Sequence, residues 1–363
     1  MNAPELTRAV TDALDLPLRA AVDRLEDPLR EMARHHFGWD DSSGVPPSRH
    51  KGAILAYLCA GSDPEREWVR ATTAAVAATV LLHGFLIHDD IIDNDRVRRF
   101  RPTCWTVYGK SAAIELGAAM EALAFELIAE TDWAAKGVAA AARCARRMAA
   151  GQTMDIAHED RDDITLELAL ETCRRKDATC TELFLLLGTL AVSDDPDRLT
   201  AAAEVGRSAG MAFSLNGFLD EIWGSPDHHG KLTLSDLRQR KKTPLITAAL
   251  ERLGQREGLR LLGLLDAYSR DDSGAQQLIA LLDSSGARQH LTGLIDGYTA
   301  EAAHALPAAL TDPAARHAAH DYILSRLGRR DAAAAGAAGM AAQQPHRTAP
   351  GDPAAAGVRK GPR

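Results

Sequence analysis

A chain of 363 residues, 46% of them hydrophobic, is long enough for one large domain or two ordinary ones and can bury a sizeable core. Its net charge of −8 argues against a nucleic-acid scaffold, which would carry a basic face. Five cysteines (Cys59, Cys104, Cys144, Cys173 and Cys180) are odd in number and widely spaced, with no zinc-ligand pattern and no signal peptide. Reduced thiols in a cytoplasmic protein are the expectation.

Along the chain, the first break is "WDDSSGVPPSRHKG". The apolar run from Ala71 to Ile87 comes next, interrupted by His83 and ending in aspartates; it is too short and too flanked by charge for a membrane span. Between about residues 65 and 220 glycine and proline are sparse, and apolar residues recur at three and four spacing, as in "LELALETCRRKDATCTELFLLLGTLA". Further breaks fall at "VRRFRPTCWTVYGK", "VSDDPD" and "WGSPDHHGK", which carry turn-forming residues. An all-α domain of roughly ten to thirteen helices is predicted over residues 1–328. From Arg329 onward the alanine, glycine and proline content leaves almost no large apolar side chain. That stretch, 329–363, is expected to be a disordered tail.

The segment "LIHDDIIDND" ends the oily run. Asp89 and Asp93 stand one helical turn apart and Asp90 sits beside them. Carboxylates this close repel, and each needs water or a cation. Magnesium suits them, because it takes carboxylate oxygens, keeps several waters and bridges to phosphate. Arg96, Arg98, Arg99 and Arg101 come immediately after, and guanidinium forks match phosphate oxygens. The plainer interpretation is a solvated helix end with weak ion pairs. It does not account for the apolar approach or for the order of acids and then bases.

"HDDIIDND-RVRRFRPT" resembles the first aspartate-rich motif of the all-trans polyprenyl diphosphate synthases, a DDxxD followed by an arginine pair and Pro-Thr. "GQTMDIAHED", "RRKDATCTELF" and "GKLTLSDLRQRKKTPL" are similar to later segments of that family, over roughly residues 40 to 260. The resemblance implies a class I isoprenoid synthase bundle around a central apolar cavity. Asp89, Asp90 and Asp93 would coordinate two or three Mg²⁺ ions bridging an allylic prenyl diphosphate. Arg98, Arg99 and Lys176 would hold the same diphosphate, with Lys231, Lys241 and Lys242 in the later segment. Gln152 and Asp155 would sit near the cavity wall. Phe85 and Gly84, four and five residues before the first aspartate, would help set chain length, with a C15 to C20 substrate favoured. A homodimer is expected on the same grounds.

Three departures shape the functional expectation. The loop that grips isopentenyl diphosphate is replaced by "PSRHKG", with Ser48, Lys51 and Gly52 where the family has lysine, arginine and proline; Arg49, His50 and Lys51 keep positive charge. The second aspartate motif is "NGFLDE", with Gly217 and Phe218 in place of its leading aspartates. Asn216, Asp220 and Glu221 remain as candidate metal ligands there. The family's Gly-Asp is Gly117-Ala118. Since the ionising half is kept and the acceptor half altered, the expectation is a terpene synthase that expels diphosphate and releases a hydrocarbon or alcohol. The alternatives are a prenyl diphosphate synthase condensing isopentenyl diphosphate with an allylic diphosphate, and a non-catalytic partner subunit. Trp105, Tyr108 and Trp223 are candidates to face a carbocation.

Overall fold

The computed structural model describes residues 2–40, 51–224, 234–271 and 273–328. Ser48, Arg49, His50, Lys231 and the 329–363 tail lie outside the described residues. The helices are α1 (Ala3–Val22), α2 (Leu29–Phe37), α3 (Ala53–Ala60), α4 (Thr72–Ile92), α5 (Cys104–Tyr108), α6 (Lys110–Ala129), α7 (Ala134–Glu159) and α8 (Leu166–Cys173). After them come α9 (Thr179–Leu190), α10 (Pro196–Trp223), α11 (Ser235–Arg238), α12 (Pro244–Arg252), α13 (Gln255–Asp271), α14 (Ala275–Ser284), α15 (Ala287–Ala309) and α16 (Pro313–Leu327). The all-α expectation holds. The helices outnumber ten to thirteen partly because short ones form, α5 inside a stretch read as a break and α11 just after another.

Helix starts reflect local chemistry. Asn2 and Glu5 form a reciprocal capping box on α1. Asp195, Thr243 and Asp312 cap α10, α12 and α16 through their side chains, each followed by proline. Helix α4 is apolar on nearly every face, and such a helix belongs in the middle of a core. It packs against α1, α3, α5, α6 and α9. The segment Trp68–Ile92 is long and apolar enough to cross a membrane, but 67% of its most apolar window is buried within the bundle, as befits a core helix.

Two irregular pieces deliver basic side chains to the end of α4. Between α4 and α5 a two-residue hairpin pairs β1 (Val97–Arg98) with β2 (Arg101–Pro102) in antiparallel register. Its turn residues, Arg99 and Phe100, both adopt left-handed backbone angles (φ 52° and 64°), as a type I′ turn requires. Between α8 and α9 the chain passes through a π-helical turn, Arg174–Ala178, which carries Lys176. Such turns are uncommon and concentrate at functional sites.

Candidate active site

The site is built at the wrong end of a helix for its charges. Asp89 and Asp90 occupy the last turn of α4, and Asp93 is its C-cap. A helix C-terminus carries partial negative charge, so carboxylates there are doubly disfavoured unless cations meet them. Asp90 and Asp93 are nonetheless 2% and 8% exposed. Three cations arrive from three other segments. The hairpin turns Arg98 back so that Nε donates to Asp90 Oδ1 at 2.5 Å and Nη2 to Asp89 Oδ2 at 3.0 Å. Lys176 Nζ lies 3.1 Å from Asp89 Oδ1, and Lys241 Nζ lies 2.8 Å from Asp93 Oδ2. Both lysines also meet Asp155 Oδ2 from α7, at 2.9 and 3.1 Å.

Burial and the neighbouring Asp89 push the Asp93 carboxyl up to about 6, against the pull of Lys176 and Lys241. Burial would also raise Asp155, but the two lysines outweigh it and hold that carboxyl below its ordinary value. Burial alone would lower Lys176, yet Asp89 and Asp155 hold it well above the usual lysine value. The turn after α4 is pinned as well: the Asp95 carbonyl accepts from Thr103 Oγ1 and Trp105 Nε1, both at 2.8 Å.

The donor set fits a hard divalent cation. The oxygens are carboxylate, and Asp93 Oδ1 is buried with no hydrogen-bond partner. Among the described residues no three His, Cys, Asp or Glu side chains already converge as a closed metal cage. The carboxylates are instead shared out among Arg98, Lys176 and Lys241. That suits an ion that takes few protein ligands and completes its shell with waters and phosphate.

Other expected residues lie differently. Gln152 is on α7, three residues before Asp155, with Nε2 buried and unpartnered. Lys242 turns to the Glu159 carbonyl and to Asp162, each at 3.3 Å, away from the aspartates. On α10, Asn216 Nδ2 donates to Asp220 Oδ2 at 2.8 Å, and the buried Asn216 Oδ1 has no partner. Glu221 Oε1 accepts from the backbone N–H of Asp236 at 2.9 Å, so it holds the start of α11. Phe85 is half-buried against the core. Gly84 leaves no open space beside it: a Cβ there would stand 2.9 Å from the Gly117 carbonyl oxygen and 3.0 Å from Glu121 Cγ, because α6 fills that side. Gly52, in place of the family's proline, lies against Phe184, whose ring would be 2.3 Å from a Cβ.

The three aromatic candidates all contact the protein's own side chains. Trp105 is held by the Asp95 carbonyl, with Lys110 and Arg96 over its ring at 5.1 and 5.7 Å. Trp223 bonds Asp283 and lies under Arg288 at 4.8 Å. Tyr108 meets His35 edge to face. A cavity of about 510 Å³ opens elsewhere, between α7, α8, α10 and α15; Arg147, Arg174 and Arg207 line it, already paired with Glu182 or Glu171. Sequence reasoning missed two polar contacts near the site. One is His88 with Glu121; the other is Asp177 with Ser214, at 2.5 Å. Neither has a sequence signature, because each joins residues on separate helices.

A profile of the polyprenyl synthetase family matches residues 48–282. The chain is 33% identical to (2E,6E)-farnesyl diphosphate synthase of Mycobacterium tuberculosis over 301 residues, covering 77% of this chain and 82% of that protein. It is 32% identical to geranylgeranyl diphosphate synthase of the same organism over 313 residues, covering 82% and 86%. The fold matches the crystal structure of a polyprenyl synthetase from Streptomyces coelicolor A3(2) with a TM-score of 0.80, 30% identity, and coverage of 90% of this chain and 100% of that one. The chain belongs to the polyprenyl synthetase family of prenyltransferases. The expectation of a terpene synthase is overturned here. The relatives that match over most of the chain carry the names of chain-elongating synthases.

Proposed function

We propose that this chain is a trans-prenyl diphosphate synthase, which condenses isopentenyl diphosphate with an allylic diphosphate and releases inorganic diphosphate. The observation that carries the reading is the single ion-pair network in which Arg98, Lys176 and Lys241 converge on Asp89, Asp90, Asp93 and Asp155. Such a network has both ingredients of a magnesium–diphosphate site. Asp89, Asp90 and Asp93 would hold Mg²⁺, with Asn216 and Asp220 the candidates on α10. Bound Mg²⁺ supplies positive charge to the diphosphate leaving group.

The chain's own residues do the rest. Arg98, Lys176 and Lys241 give up part of their hold on the carboxylates and donate to the diphosphate oxygens. Asp155 keeps both lysines aimed there. Charge placed where the leaving group develops it favours rupture of the allylic C–O bond. The apolar bundle keeps water from the resulting cation; the isopentenyl double bond attacks it, and the tertiary cation so formed loses a proton, which the released diphosphate can accept, to give the new double bond. Arg49, His50 and Lys51 are the proposed grip on the isopentenyl diphosphate. The names of the two relatives support a C15 to C20 product, and a homodimer in the cytoplasm is the working assembly.

The test is a product assay with purified protein, Mg²⁺ and C5, C10 or C15 allylic diphosphates, with and without isopentenyl diphosphate. A longer diphosphate that forms only when isopentenyl diphosphate is present is the expected result. A diphosphate-free hydrocarbon or alcohol made from the allylic substrate alone would overturn the reading.

A further inference from the structure

We propose that His88 is a positioning residue: clamped to α6 over the bare Cα of Gly117, it sets the aim of the first aspartate cluster. The proposal rests on the prenyl synthase reading of the site. His88 immediately precedes Asp89 in the last turns of α4. Its Nε2 lies 3.0 Å from the Ile114 carbonyl oxygen, which only accepts, so Nε2 carries the proton. Its Nδ1 lies 3.4 Å from Glu121 Oε1. Both partners are on α6, so the ring is tethered to one neighbouring helix through both nitrogens.

Two glycines make the contact possible. A Cβ on Gly117 would stand 2.3 Å from His88 Nε2 and 2.6 Å from Cδ2, so a side chain there would evict the ring. On the facing helix, a Cβ on Gly84 would stand 3.0 Å from Glu121 Cγ, the stem that carries the carboxylate to the ring. Four residues on two helices thus serve one imidazole. This gives Gly117 a physical reason that Ala118, exposed beside it, does not share.

The clamp matters because of where the aspartates sit. The final turn of a helix leaves its carbonyls unpaired and frays readily, and here like charges strain it further. Arg98, Lys176 and Lys241 also tie this turn, and on the proposed reading they rearrange when a diphosphate enters. α6 supplies none of those three cations. Its hold on His88 therefore fixes the rotation of the α4 end while the charged partners change places. Small errors in the placement of reacting groups are costly, since a shift of about 1 Å can cost about a hundredfold in rate.

The experiment compares wild type, His88→Ala, His88→Gln and Gly117→Ala. Each is measured for steady-state kinetics at varied Mg²⁺ and for calorimetric binding of Mg²⁺ with inorganic diphosphate. His88→Ala and Gly117→Ala are expected to lower kcat about ten- to a hundredfold. They should also raise the Mg²⁺ needed for half-maximal activity and weaken Mg²⁺–diphosphate binding, with KM for isopentenyl diphosphate unchanged. His88→Gln, whose amide can still donate to the Ile114 carbonyl, should recover part of both losses, and it serves should His88→Ala not fold. Variants that melt earlier but keep wild-type Mg²⁺ dependence and diphosphate binding would overturn the proposal. If wild type elongates no substrate pair, the functional reading fails on its own, and the calorimetry still decides whether His88 aims the cluster.

Discussion

The two ends of the site make a useful contrast. At the end of α4, three aspartates are met by Arg98, Lys176 and Lys241, and one carboxylate oxygen of Asp93 stays buried without a partner. At the end of α10, Asn216 and Asp220 bond each other, and Glu221 is spent on the backbone of the next helix. The first cluster keeps carboxylates balanced by cations from other segments, and on the proposed reading it would exchange those cations for a metal and a diphosphate. The second has replaced charge by an internal amide–carboxylate pair. On the proposed reading, leaving-group departure depends mainly on the α4 end, and α10 contributes less.

The contrast can be broken by mutation. Removal of divalent ions with EDTA should abolish turnover and leave far-ultraviolet helicity unchanged, because the lysines and Arg98 already neutralise the aspartates; loss of helicity would mean that the metal holds the fold. Asp89→Ala or Asp93→Ala should cost about a thousandfold in kcat, as expected when charge stabilisation of a leaving group is lost. Near-normal turnover in either variant would remove the first cluster from the mechanism. Asp155→Asn should cost about ten- to a hundredfold, since it loosens Lys176 and Lys241 together without touching substrate. Its loss should not be additive with that of Lys176→Met, and a double-mutant cycle checks this. On α10, Asp220→Ala should cost only about tenfold. A loss equal to that of Asp89→Ala would show the two ends to be equivalent. The smallest effect is expected at Trp223→Leu, about 1 kcal/mol of stability for one lost hydrogen bond, with product length unchanged. A shift in product length there would return that ring to the cavity.

Asp220→Ala bears on the altered second motif, which departs from the family together with the acceptor loop. Taken residue by residue, those departures point to a cyclase that needs ionisation alone. The comparison over most of the chain, with relatives named as chain-elongating synthases, points instead to elongation. Lost identities are not the same as lost function. Arg49, His50 and Lys51 still carry or can carry positive charge, and a phosphate responds to charge and donors more than to residue names.

Much of this protein is legible from its amino acids alone. The apolar run into "HDDIIDND", the arginines after it and the three-and-four spacing elsewhere determine an all-α bundle and mark the acid-then-base end of α4 as the candidate site. Those signals are local: periodicity and charge spacing along one helix need no partner to be read. Tertiary structure decided which cation meets which acid, and that Asp155 ties Lys176 to Lys241, which lie far apart in the chain. It turned Arg98 back through a left-handed hairpin, covered Trp105 and Trp223 with the protein's own cations, and filled the space beside Gly84 with α6. It also placed His88 on Gly117. Each of these depends on how separate elements pack against one another, and only packing sets such distances.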